Sequence, residues 1–152
     1  MMMSMAALTA LLMMAPQAPG PTGQAGSAGP NGSLRSIDKG LDSQIDEARQ
    51  VTVRSAAEWE KLWRQHAGER ARPPVDFVKE TVLAVFLGSR PTAGFSIEIA
   101  GTRQDGPTLI VQYRETRPAA GGIVAQVLTS PYHIVAISKS AAVTDVKFER
   151  LP

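Results

Sequence analysis

Cysteine is absent from the 152 residues. No disulfide, thiolate metal site, thiol nucleophile or lipidated N-terminal cysteine is therefore available, and stability must come from an apolar core. Histidine is scarce as well, with only His66 and His133. Zinc needs three or four N, S or O ligands in a closed geometry, so His66 reads as the close of a helical stripe and His133 as the start of a strand, and no metal is expected. Charge of one sign is also lacking. Sixteen Lys and Arg stand against fourteen Asp and Glu, for a net charge of +2 with the signs interspersed. A nucleic-acid partner would require positive charge gathered on one face, so none is expected. No apolar run reaches the roughly 20 residues of a membrane-spanning helix.

Recognisable catalytic apparatus is missing too. The glycine-containing turns lack the Gly-Lys-Ser/Thr of a phosphate loop and the G-x-G-x-x-G that opens a dinucleotide-binding helix, so no cofactor is expected. The carboxylates are scattered, and none pairs into an acid and a base. Ser36-Ile-Asp-Lys39 matches S-x-x-K, the arrangement that sets a lysine beside a serine nucleophile. Its companion elements are missing. A small hydrolase built on Ser36 and Lys39 is thus the weakest alternative, and the protein is expected not to be an enzyme.

What is present falls into three parts. Met1 to Ala15 is rich in Met, Ala and Leu, and no charge occurs before Arg35. Residues 1–15 are expected to be an export signal or its remnant, although the usual positive start is missing. Residues 16–33, PQAPGPTGQAGSAGPNGS, have too little apolar content to offset the entropy of ordering and read as a flexible linker. The folded domain is expected over 34–152.

Within it, Ser55 to Ala67 predicts one helix. Ser55 and Glu58 form a capping box, and Trp59, Leu62, Trp63 and His66 share a face at i, i+3, i+4 and i+7. Strands are predicted at Gln50–Arg54, Thr81–Leu87, Phe95–Ile99, Leu109–Arg114, Ile123–Leu128, His133–Ser138 and around Val146 and Phe148. The run Thr81–Leu87 is apolar throughout, as in a strand buried on both faces. These elements predict an α+β domain, mainly antiparallel β: a sandwich or partly open barrel of six to seven strands with the helix packed on it.

GSRPTAG, residues 88–94, interrupts two of these strands. Turn chemistry accounts for it as a hairpin loop, with Pro91 fixing φ and Gly94 supplying a positive φ. As a recognition loop on a rigid β scaffold, it would present Arg90, Pro91, Thr92 and Phe95 to a partner. Tyr132 and His133, beside Pro131, are the second candidate pair.

Three blocks, AAEWEKLWRQH, PPVDFVKETVLAVFLGSRPTAGFSIEI and VAQVLTSPYHIVAISK, resemble the C-terminal domain of the PrcB family, named for a subunit of a bacterial secreted protease complex. The resemblance runs from about Leu34 to Phe148. It implies a non-catalytic accessory protein, exported to the periplasm, cell envelope or exterior, that associates with or stabilises a protease or another envelope protein. It brings no catalytic residues. This chain departs from the family in having Ala93 where a second glycine is common and Phe95 where tyrosine is common. Without cysteine, the lipoprotein anchor of some relatives is not expected. Separately, Arg90-Pro-Thr-Ala-Gly-Phe95 resembles the N-P-T-T-G-Y loop of chagasin-like cysteine-protease inhibitors, with Arg117-Pro118 matching part of their Arg-Pro-Trp element. That resemblance implies an alternative, direct protease inhibition through the loop.

Overall fold

The computed structural model describes residues 34–152. The export segment and linker expected within residues 1–33 lie outside the described residues. In chain order the elements are β1 (Arg35–Gly40), β2 (Arg49–Val53), α1 (Ala56–Ala67), β3 (Glu80–Phe86), β4 (Ser96–Asp105), β5 (Thr108–Thr116), β6 (Tyr132–Ser138) and β7 (Asp145–Arg150). One sheet has the order β1-β6-β3-β2 and the other β4-β5-β7.

The alternation of side chains in the two central strands builds three layers. Val82, Ala84 and Phe86 of β3, with Tyr132 and Ile134 of β6, pack under Trp59, Leu62 and Trp63 of α1. Leu83, Val85, Val135 and Ile137 point the other way and meet Ile97, Ile99, Leu109, Val111 and Tyr113 of the second sheet. Helix, four-stranded sheet and three-stranded sheet are thus stacked, with β3 buried on both faces. The expected α+β sandwich is the observed architecture, and neither sheet closes into a barrel.

The helix forms where its caps place it. Ser55 Oγ accepts from the Glu58 amide at 3.3 Å, and the Glu58 carboxylate reaches back to the Arg54 amide at 2.9 Å. Gly68 (φ 60°) ends it by donating to the Arg64 carbonyl. The two indoles donate to the Pro73 and Arg70 carbonyls, at 3.1 and 2.7 Å. These bonds fasten the return segment to the helix.

Two expectations require correction, and two features lay outside them. Ile123–Leu128 is not a strand: Ile123, Val127 and Leu128 face solvent, so no layer stabilises the segment in a sheet. β1 is a strand the sequence hid, because its polar residues lie on an edge and a bulge between Ser36 and Asp38 breaks the alternation. β7 pairs parallel to β5, since the chain visits the other sheet between them, so the second sheet is mixed. Finally, GSRPTAG is no hairpin: β3 and β4 belong to different sheets, and the loop crosses between them.

Candidate docking surface

The crossing loop is stitched down along its length. Leu87 donates to the Pro131 carbonyl at 2.9 Å, and Ser89 to that of Asp46 at 3.0 Å. Arg90 and Thr129 exchange both backbone bonds, at 2.7 and 2.9 Å. The Thr129 hydroxyl donates to the Thr92 carbonyl at 3.0 Å, and the Ala93 amide to the Ala125 carbonyl at 3.0 Å. Its glycines answer to sterics as well as to φ. A Cβ on Gly88 (φ 80°) would lie 2.7 Å from the Asp46 carbonyl oxygen, and one on Gly94 (φ 92°) would lie 2.8 Å from Pro118.

Four of the six candidate residues gather on this loop. Arg90, Pro91 and Phe95 line a cavity of about 280 Å³ together with Leu87, Glu115 and Arg117. The Arg90 guanidinium sits 5.8 Å from the centre of the Phe95 ring, a cation–π distance. Pro91 is exposed and Thr92 half-buried, with the Thr92 hydroxyl turned to the Ala93 carbonyl.

The other two are withdrawn from the surface. Tyr132 is 1 % exposed and packs on the helix side, whereas His133 points between the sheets. Adjacent residues of a strand face opposite ways, so the two cannot share a contact surface. The Tyr132 hydroxyl is buried beside Arg70 and Asp38, and burial pushes the phenol up to about 12.

His133 also decides the fate of Ser36. The Ile99 amide donates to its Nδ1 at 3.0 Å, so in the neutral ring the proton sits on Nε2. That nitrogen lies 3.0 Å from Ser36 Oγ and donates to it. A general base must accept a serine proton; this imidazole gives one. Burial lowers the His133 pKa, Lys39 lowers it further, and Glu98 opposes.

A buried polar cluster escaped the sequence reading. His66 is 1 % exposed, with Nδ1 2.9 Å from Ser43 Oγ and Nε2 3.2 Å from Asp38 Oδ2. Arg70 bonds the same carboxylate oxygen and lies over the Trp63 ring at 5.1 Å. Serine, histidine and aspartate are thus in hydrogen-bonded order. However, Ser43 is buried, and its oxygen already accepts the Ile45 amide at 3.1 Å. The cluster clasps β1, the following turn, the helix and β6 to one another. Its members lie far apart in the chain, so no motif spacing announces them.

Sequence reasoning also missed the apolar surface beside the loop. The unpaired 117–128 segment leaves Ile123 fully exposed and Leu128 73 % exposed, and Val127 is exposed beside them. Leu41, also exposed, is brought near by the bond from the Ser130 amide to its carbonyl at 2.7 Å.

Residues 81–138 match the family model of the PrcB C-terminal domain. That segment is similar to the PrcB C-terminal domain. No curated protein and no solved structure matches the chain. The PrcB C-terminal match runs from β3 through β6, so it includes the crossing loop, the exposed arm and the strands that hold both.

Proposed function

We propose that this protein is a non-catalytic, exported accessory module that docks a partner protein, a secreted protease or another envelope protein. One observation carries the reading: exposed Ile123, Val127 and Leu128 lie on an arm bonded directly to the Arg90–Phe95 loop. Exposed apolar side chains on a segment bonded to a loop that carries a cation and an aromatic ring are the kind of surface that interfaces use. The donor role of His133 toward Ser36 supports the absence of serine chemistry there.

The test is capture from an exported-protein extract by the full chain, compared with Arg90→Ala and with Val127→Ser/Leu128→Ser. Loss of about tenfold or more in capture at unchanged melting temperature is expected, the scale of hot-spot truncations. Capture that survives both sets of changes would place the partner surface elsewhere.

A second reading, direct inhibition of a cysteine protease, is favoured by one contact. Arg117 lines the same cavity as Arg90 and Phe95, and Pro118 packs at Gly94, so the two inhibitor-like elements meet in space. Papain-type protease rates that stay constant in excess protein would eliminate it.

A further inference from the structure

The opposite end of β3 carries a second cavity, about 570 Å³ in volume, within the roughly 300–1,000 Å³ of small-molecule sites. It lies where the two sheets part, between Thr81 and Ile137 of the first and Leu109 and Val146 of the second. Seven strand residues of about 3.3 Å each separate this end from the docking loop. The two sites are therefore physically distinct, and this inference does not rest on the docking reading.

Two features give the cavity a chemical preference. Its floor is aliphatic: Leu109, Ile137, Val143 and Val146. Arg54 and Lys139, both exposed, also line it, with no carboxylate among the described lining residues. Both side chains are free of ion pairs among the described residues, whereas Arg35, Lys39, Arg64, Arg70, Arg72, Arg103 and Arg150 each hold an acidic partner. Thr81, Gln104, Ser138 and Ser140 add neutral hydrogen-bonding groups.

An aliphatic floor under two uncompensated cations fits an amphipathic anion better than a neutral or cationic ligand. We infer that this end of the sandwich binds a straight-chain carboxylate, with the hydrocarbon between the sheets and the head group at Arg54 and Lys139.

The experiment titrates the full chain with saturated fatty acids from octanoate to tetradecanoate, below their micelle concentrations, by displacement of a dansyl-labelled undecanoate probe. Saturable one-to-one binding is expected, tightening about fourfold per methylene as each CH₂ leaves water, until the cavity is full. Dodecanol should bind about tenfold more weakly than dodecanoate, the scale of a lost charge-assisted hydrogen bond. Arg54→Gln/Lys139→Gln should erase that difference and leave dodecanol binding unchanged; both positions are exposed, so folding is retained. Val143→Trp, which fills the floor, should abolish binding of both ligands. Absence of saturation in the wild type, or equal affinity for acid and alcohol, would overturn the assignment.

Discussion

Gly88 shows how much one missing side chain can decide. Its positive φ and the 2.7 Å approach of a Cβ to the Asp46 carbonyl act together. Gly88→Ala is expected to cost about 2–3 kcal/mol, read by urea denaturation; a loss below half of that would show the crossing loop to be adaptable. The two histidines make a second residue-scale prediction. Burial is the main cause lowering both pKa values from 6.5. At His66, Asp38 and Asp42 oppose the shift while Arg70 reinforces it. At His133, Lys39 reinforces it and Glu98 opposes. Because the folded values are depressed, the unfolded chain binds more protons as pH falls below 6.5. The stability from neutral imidazoles is therefore fully present above that pH and lost below it, levelling once the folded rings protonate. Unfolding free energy should be lower at about pH 5 than at about pH 7.5. A flat or rising profile as pH drops through that window would contradict the buried neutral assignment.

At the scale of elements, the helix and the arm behave oppositely. The helix has a satisfied N-cap, so Ser55→Ala should destabilise the protein by about 1 kcal/mol, measured as a shift in the denaturation midpoint. The arm contributes side chains that bury little. Val127→Ser/Leu128→Ser should change stability by no more than about 0.5 kcal/mol, which is what lets the capture experiment separate docking from folding. A larger loss would mean that the arm packs against something in solution, and the docking surface would need to be redrawn.

At the scale of the molecule, both cores share β3 and β6, so neither can come apart alone. Both tryptophans lie in the helix-side core, whereas Leu83 lies in the core between the sheets. Leu83→Ala should cost about 2–5 kcal/mol. Tryptophan fluorescence and far-UV dichroism should nonetheless report one coincident transition. Two separated transitions would show that the layers fold independently.

Legibility followed locality. The helix was readable because its cap and its stripe both lie within one 3.6-residue periodicity, and β3 because a strand buried on both faces has no polar side to alternate. β1 was not, since edge strands tolerate polar residues and its stability comes from pairing with a strand some hundred positions away. The 123–128 segment misled for the converse reason. Its β-branched and aliphatic residues suit a strand, but no neighbour supplies the ladder. The Arg90–Phe95 segment reads as a loop from its Gly and Pro content, while Tyr132 and His133 were placed on the surface only because the sequence cannot say that both faces of β6 are covered.

By itself, then, the sequence determined the helix, the doubly buried strand β3, the α+β class, the family resemblance and the lack of cysteine, all of which depend on residue identity and short-range spacing. Tertiary structure alone decided which sheet each strand joined, which histidine nitrogen carries the proton, and that Asp38, His66, Arg70 and Tyr132 meet. It also decided that the apolar arm lies open beside the loop. The physical reason is that these outcomes depend on contacts between distant segments, where burial and hydrogen-bond completion are settled only once the layers have closed.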